Sequence, residues 1–249
     1  MPNAELRIWG VTGLPEIQPG NDLAEAIVRA LPPRSIEPGS VFVIAQKIVS
    51  KSEGRLVELD EVEPSPPARE WAAQYHRDPR MIEVVLREAR RIVRMDRGVL
   101  IVETRQGFIC ANGGVDASNA PKGTVVLLPE DADDSARRLR DALERRLDRR
   151  VAVIISDTFG RPWRQGLTNV ALGVAGLSPF IDYRGQIDFY GRPLQATVLA
   201  VADELAAAAE LVMGKTLGIP VAVVEGFRYE LAAGSGLDLI RPPEEDLFR

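Results

Sequence analysis

The feature that most constrains the fold is a regular alternation of two kinds of segment. Short runs rich in valine, isoleucine and other apolar residues alternate with segments of helical periodicity. The predicted strands are 6–11, 40–45 continuing to 50, 99–103, 108–112, 124–128, 151–156 and 220–224. The predicted helices are 22–31, 65–75, 78–95, 133–147 and 200–213, while 160–195 shows neither pattern. Helices that alternate with strands cover the faces of a sheet, so we expect an α/β fold (mixed α+β) of mixed sheets with flanking helices.

The composition excludes several classes of function. The 249 residues carry a formal net charge of −5, whereas a general nucleic-acid binder would usually be basic. The single cysteine, Cys110, and the single histidine, His76, exclude an intrachain disulfide, a cysteine zinc site and a histidine-rich metal centre. No apolar run approaches about 18 residues, and residues 1–5 lack the pattern of a signal peptide. We therefore expect no membrane contact and a cytoplasmic location.

The strongest local motif follows the β-branched run 151–156. Asp157 and Thr158 offer adjacent oxygen ligands for a hard cation such as Mg²⁺, at what is predicted to be the carboxyl end of a strand. Arg161 and Arg164 follow, and arginine binds phosphate or carboxylate through paired hydrogen bonds. The motif therefore indicates phosphoryl chemistry. The alternative is that Asp157 caps the next turn and both arginines are merely solvated.

Three weaker motifs add candidate residues. Asp116 follows two glycines and is placed to share a cation with Asp157, with Asn119 as a donor to phosphate or base, although Gly-Gly-Asp is also a common turn. Lys51 is expected to hold phosphate from a strand that also carries Lys47, unless both lysines only protect a sheet edge. Lys215 is a candidate nucleotide contact, but its surroundings lack the spacing of a P-loop.

Five motifs in order and register resemble the coenzyme F420-0 gamma-glutamyl ligase family over nearly the whole chain. They are GLPEI at 13–17, KIVSK at 47–51, GVDASN at 114–119, SDTFGRPWRQG at 156–166 and VMGK at 212–215. The resemblance implies an unusual α/β ligase fold and a homodimer. It also implies GTP as co-substrate, coenzyme F420-0 and L-glutamate as substrates, Mg²⁺ or Mn²⁺, and a monovalent cation such as K⁺.

The resemblance also implies roles for particular residues. The metal ligands would be Asp116, Asp157 and Thr158. The nucleotide site would be lined by Leu14, Pro15, Glu16, Ile17, Gln46, Lys51, Asn119, Met213, Gly214, Lys215 and Thr216. Archaeal members have glutamine at the position of Lys215, where it binds a second metal, and a charged ammonium cannot do so. The ligase domain would span 1–240, and 241–249 would be a polar tail or linker.

The expected reaction is formation of an amide between F420-0 and glutamate, followed by gamma-glutamyl linkages. The carboxylate would attack the γ-phosphate of GTP, and the amine of glutamate would attack the resulting acyl phosphate. Arg161 and Arg164 are our own candidates for catalytic contacts to substrate phosphate or carboxylate. Two alternatives use the same residues: a metal-dependent phosphohydrolase, and a nucleotide-binding regulatory module.

Overall fold

The computed structural model describes residues 5–33 and 36–246, which form twelve strands and six helices. The strands are β1 (Arg7–Gly10), β2 (Ser40–Ala45), β3 (Leu56–Glu58), β4 (Ala89–Asp96), β5 (Val99–Thr104), β6 (Ile109–Ala111), β7 (Thr124–Val126), β8 (Val151–Arg161), β9 (Arg164–Ala175), β10 (Ile181–Asp182), β11 (Val198–Leu199) and β12 (Val221–Glu225). The helices are α1 (Leu23–Ala30), α2 (Gln46–Ser52), α3 (Pro66–Tyr75), α4 (Pro79–Glu88), α5 (Ala132–Leu147) and α6 (Val201–Met213). The α/β class predicted from the sequence is confirmed.

A five-stranded sheet in the order β1–β12–β2–β8–β9 forms the centre of the molecule. Strands β2 and β8 run parallel, and the other neighbours are antiparallel. Helices α1 and α5 pack on one face through residues such as Ile27 and Leu143, and α6 packs on the other through its alanines. The strands between these layers are apolar on both faces, which explains their continuous β-branched runs. No helix in the described ranges is long and apolar enough to cross a bilayer.

A second apolar cluster joins α3 and α4 to smaller sheets. Strands β4, β5 and β6 form one antiparallel sheet, and β3 pairs with β7. Trp71 and Val85 from the helices pack against Val102 and Val125 from these strands. The predicted hairpin around 106–107 is confirmed by the pairing of β5 with β6. One of these smaller sheets holds the segment that carries Asp116, because Asp116 bridges to Val126 at the end of β7.

Strands β8 and β9 extend beyond the sheet as a long hairpin. The parallel partner β2 ends at Ala45, opposite Ser156, whereas β8 continues to Arg161 paired only with β9. The expectation that the strand ends at Ser156 is therefore wrong. The apolar sequence signal stops there because the two-stranded ribbon no longer lies between helices, while its hydrogen-bonded ladder continues. Asp157 lies inside this ladder opposite Val170, which also excludes its reading as a turn cap.

Two other predicted elements differ from the structure. Residues 47–50 belong to helix α2, although Ile48 and Val49 are β-branched, because the chain leaves the sheet at Ala45. The helix predicted over 78–95 ends at Glu88, and β4 follows because residues 89–96 pair with β5. Pairing between distant segments overrides local propensity in both places.

Candidate active site

The candidate active site lies where the parallel pair β2 and β8 ends. Helix α2 begins there with Gln46 and Lys47, and β8 continues past its partner with Asp157 and Thr158. Ligands of open α/β sheets bind at this end of the strands. The loop that carries Asp116 comes to the same place, as its contacts with Lys47 show.

Asp116 is held rigidly by backbone and side-chain hydrogen bonds. Its backbone N–H donates to the Val126 carbonyl over 3.1 Å and its carbonyl accepts from the Val126 N–H over 2.8 Å. Its carboxylate accepts from the backbone N–H of Ser118 at 2.7 Å and from the Ser118 hydroxyl at 2.9 Å. The ammonium of Lys47 completes this set, 2.6 Å from Oδ2 of Asp116.

The two glycines before Asp116 have a conformational reason. Gly113 and Gly114 have φ angles of 59° and 71°, in the left-handed region that favours glycine. A Cβ on Gly114 would also come within 2.6 Å of the Leu128 side chain. The Gly-Gly pair therefore allows the turn that presents Asp116, so the turn reading and the site reading of this motif are compatible.

Asp157 shares the charge of Lys47 with Asp116. Burial raises the pKa of Asp157 to about 6, against the opposing effects of the Thr158 backbone N–H and the Lys47 charge. The negative charge of Asp116 raises that pKa further, so the two carboxylates lie close enough to repel each other. For Asp116, burial acts in the same direction, but hydrogen bonds from Lys47 and Ser118 outweigh it and lower its pKa. We call Asp116, Asp157 and Lys47 the carboxylate cluster.

Thr158 belongs to a second, neighbouring group. Successive strand residues point to opposite faces, so Thr158 faces away from the carboxylate of Asp157. Its hydroxyl donates to Oδ1 of Asn169 at 2.7 Å, and Nδ2 of Asn169 donates to Glu210 at 3.0 Å. Lys215 closes the circuit with its ammonium 2.8 Å from Glu210 and 2.5 Å from the Thr158 hydroxyl. We call Thr158, Asn169, Glu210 and Lys215 the Thr158 ring.

Lys51 is a buried cation beside the cluster. Only 8% of its side chain is exposed, and its ammonium lies 2.5 Å from Glu16, whose side chain is 71% exposed. This contact joins α2 to the loop 13–20, of which the family resemblance implies that residues 14–17 line the nucleotide site. A buried lysine in a helix cannot be a solvated lysine that protects a sheet edge, so that alternative is wrong for Lys51.

Gln46 and Ser156 contribute buried polar atoms at the same end of the sheet. Oε1 of Gln46 accepts from the Ser50 hydroxyl at 2.9 Å, whereas Nε2 has no hydrogen-bond partner within the described residues. The Ser156 hydroxyl, opposite Ala45 in the ladder, also has no partner there. Buried donors are costly to leave unpaired, so these atoms are candidates to contact a ligand.

The other residues predicted to contact the nucleotide differ in how exposed they are. Leu14 is half-buried and Ile17 lies in the core, while Pro15, Asn119 and Thr216 are exposed. Met213, the last residue of α6, is buried, and Gly214 ends that helix with a φ of 58°. Within the segment 213–216, the side chain of Lys215 contacts the site.

Arg161 and Arg164 are not brought to the carboxylates. They pair with each other at the exposed tip of the β8–β9 hairpin, where Arg161 donates to the Gln165 carbonyl at 2.9 Å. Arg161 lies four positions beyond Asp157 along the strand, a backbone distance of about 13 Å. Their catalytic assignment stays a prediction, and their position favours contact with a remote part of a substrate.

Sequence reasoning missed four residues of the site: Lys47 as the partner of Asp116, together with Ser118, Asn169 and Glu210. Asn169 lies in the segment 160–195, where no pattern was found, and Glu210 looks like a solvated acid in an alanine-rich helix. The sequence did contain a signal for Lys47, which is one of only four lysines.

The described residues contain no group of three or more histidine, cysteine, aspartate or glutamate side chains placed to hold a metal. The carboxylate cluster offers two carboxylates. That number suits Mg²⁺, which binds through one or two carboxylates together with water and substrate phosphates. The contact between the Lys47 ammonium and the Asp116 carboxylate shows that a positive charge is stabilised at this position. The donor set therefore fits a divalent ion whose other ligands come from a phosphate substrate.

Comparison with known proteins identifies close relatives over nearly the full length. A protein of Methanopyrus kandleri named coenzyme F420:L-glutamate ligase is 47% identical over 249 residues, covering 98% of each chain. A protein of Methanothermobacter thermautotrophicus with the same name is 45% identical over 249 residues, covering 98% of this chain and 99% of its own. A third, from Methanocaldococcus jannaschii, is 45% identical over 215 residues, or 86% of each chain.

The family model described as F420-0:Gamma-glutamyl ligase matches residues 12–226, a range that includes every residue of the carboxylate cluster and the Thr158 ring. The resemblance inferred from the five motifs is thereby confirmed. By this match and by its relatives, the chain belongs to the F420-0:gamma-glutamyl ligase family.

Proposed function

We propose that the protein is a GTP-dependent ligase that joins L-glutamate to coenzyme F420-0 through an acyl phosphate and then adds glutamate through gamma linkages. Family membership and relatives named coenzyme F420:L-glutamate ligase support the substrates and the type of bond. The observation that carries the proposal is the contact of Lys47 with Asp116, together with the electrostatic influence of both charges on the pKa of the buried Asp157. Two carboxylates near one cation, at the ligand-binding end of a sheet, are suited to phosphoryl transfer.

The residues that would hold Mg²⁺ or Mn²⁺ are Asp116 and Asp157. Such an ion supplies neutralisation of the charge that develops on phosphate oxygens. The hydrogen bonds from Ser118 and the bridge to Val126 fix the Asp116 carboxylate before any ligand arrives. This preorganisation means that little rotational freedom remains to be lost when substrate binds.

The triphosphate would lie along the start of α2, between that helix and loop 13–20. Lys51 offers a cation that is shielded from water, and Nε2 of Gln46 offers a donor that the described protein atoms leave unused. Glu16 is exposed and pairs with Lys51, so a phosphate can replace it as the partner of that ammonium. We propose that Asn119 and the backbone from Leu14 to Ile17 contact the rest of the nucleotide.

The chemistry has two steps. A carboxylate oxygen of F420-0 bonds to the γ-phosphorus as the bond from that phosphorus to the β–γ bridging oxygen breaks, and GDP leaves. The amine of glutamate then bonds to the acyl carbon, phosphate leaves, and the amine gives up a proton. A phosphate oxygen or a carboxylate of the cluster accepts that proton, so no histidine is required.

Arg161 and Arg164 fit the role of binding the acceptor. Their position about 13 Å along the hairpin from Asp157 suits a phosphate or carboxylate distant from the reacting atoms. The family resemblance extends the proposal to a homodimer and to a requirement for a monovalent cation. Sedimentation velocity, and activity with and without K⁺, test these two points.

Mass spectrometry of a complete reaction tests the function. F420-0, GTP, Mn²⁺ and L-glutamate are incubated with the protein, and parallel reactions omit one component each. The proposal predicts glutamylated F420-0 only in the complete mixture, and GDP in more than an amount equal to the enzyme only there. Phosphate release without acceptor and glutamate would instead identify a phosphohydrolase, and GTP binding without product would identify a regulatory module.

A further inference from the structure

The Lys215 ammonium contacts oxygen atoms from three different elements. It lies 2.5 Å from the Thr158 hydroxyl on β8, 3.5 Å from Oδ1 of Asn169 on β9 and 2.8 Å from Glu210 on α6. The partners are also bonded to one another, from Thr158 to Asn169 and from Asn169 to Glu210. The Lys215 side chain is 59% exposed, so its ammonium closes this circuit from the solvent side.

The backbone around Lys215 explains how it reaches this position. Gly214 ends α6 with φ 58° and ψ 179°, and its N–H still donates to the Glu210 carbonyl. Glycine adopts this positive φ with an extended ψ readily, and the side chain that follows it contacts Glu210 on the last turn of the same helix. The lysine is thus directed at the ring by helix geometry.

The oxygens around the ammonium form a donor set for a hard cation. A hydroxyl, an amide carbonyl and a carboxylate are the ligand types that bind alkali and alkaline-earth ions. In this chain the ring contains one carboxylate and one ammonium, so its charges cancel. The carboxylate cluster contains two carboxylates and one ammonium, and therefore keeps a negative charge. A divalent ion is attracted to the cluster and not to the ring.

We propose that the Lys215 ammonium is a tethered cation, which permanently occupies the cation position of the Thr158 ring, and that the active site accordingly binds a single divalent ion at Asp116 and Asp157. The part of this inference that concerns the carboxylate cluster rests on the proposed function, in which that cluster binds the divalent ion. Its consequence is specific: removing the ammonium turns the ring into a binding site for a dissolved cation.

Counting bound Mn²⁺ by electron paramagnetic resonance of the free ion tests this without any turnover. The wild-type protein is expected to bind one ion per chain. Lys215→Gln, which is neutral and supplies an oxygen, is expected to bind two ions, because the ring then has one carboxylate and no internal cation. Lys215→Arg keeps the charge and is expected to remain at one. Lys122→Ala removes an exposed lysine outside both groups and is the matched control.

The outcomes separate this inference from the proposed function. Two ions on the wild type, or the same number on the wild type and on Lys215→Gln, would overturn the tethered cation. No ion on the wild type but one on Lys215→Gln would support the tethered cation while contradicting the metal site at Asp116 and Asp157. Circular dichroism of each variant confirms that the compared proteins are folded.

Discussion

The Lys47 ammonium lies 2.6 Å from Oδ2 of Asp116. The same ammonium acts on Asp157, where it opposes the rise in pKa caused by burial. Asp116 follows Lys47 by 69 positions in the chain and precedes Asp157 by 41 positions, yet the charges of these three residues act on one another. Neither carboxylate alone is unusual, but the two lie within electrostatic range of one cation beside the end of β2, where we propose that a metal-bound triphosphate binds.

Asp157→Asn is expected to reduce ligation by about a hundredfold or more, because the amide keeps the shape but loses the charge that binds the metal. The free energy of unfolding is not expected to fall, since burial already disfavours the charged carboxylate. Initial rates of product formation and urea unfolding measure the two effects. Asp148→Asn, an exposed position at the end of α5, is the control. Activity within a few-fold of wild type would remove Asp157 from the metal site.

Lys51→Ala is expected to raise the KM for GTP by about tenfold, which corresponds to about 1.4 kcal/mol of lost binding to phosphate. The kcat should change much less, because Lys51 is proposed to bind the nucleotide and not the reacting atoms. Steady-state kinetics at varied GTP measures both values, with Lys122→Ala as a lysine control. An unchanged KM would mean that Lys51 serves only to join α2 to Glu16.

Arg164→Ala is expected to raise the KM for the acceptor about tenfold with little change in kcat or in the KM for GTP. The reason is its position at the hairpin tip, which is remote from the carboxylate cluster. Kinetics with each substrate varied in turn measures the pattern, and Arg145→Ala on the exposed side of α5 is the control. A large fall in kcat with constant KM would instead place Arg164 at the transferred phosphate.

Asp133→Ala is expected to lower the free energy of unfolding by about 3 kcal/mol, because charge-assisted hydrogen bonds are lost and buried N–H groups remain unpaired. Its buried carboxylate accepts from the backbone N–H groups of Val174 and Gly236 and from the Ser235 hydroxyl. Urea unfolding followed by circular dichroism measures the change. Asp141→Ala, on the same helix but half-exposed, should stay within about 0.5 kcal/mol of wild type. Equal effects of the two substitutions would show that the Asp133 contacts contribute little.

Elements whose structure depends on their own residues could be predicted from the sequence, whereas elements that depend on pairing with a distant segment could not. The apolar runs at 40–45 and 151–156 predicted buried strands because those strands lie between two layers of helix. The strand β4 was predicted as helix, since its identity depends on pairing with β5 and not on its own propensity. The length of β8 was also underestimated, because the hairpin beyond Ser156 has no apolar signal.

The same holds for the site: residues in distinctive motifs could be predicted, and residues defined by contacts with distant parts of the chain could not. Asp116 and Asp157 were predicted because each stands in a distinctive motif and the motifs together indicated a family. Asn169 and Glu210 were not predicted, since they have meaning only through contacts that cross 41 residues of chain. The pairing of Lys47 with Asp116 crosses 69 residues and depends on α2 being a helix, where a strand was expected.

Anomalous diffraction from crystals soaked with Mn²⁺ and GTP tests the central claim most directly. A manganese peak is expected at about 2.2 Å from an oxygen of Asp116 and from an oxygen of Asp157, with phosphate oxygens among the other ligands of the ion. A manganese peak that lies away from either carboxylate, or carboxylates that turn from each other when the nucleotide is bound, would contradict the account.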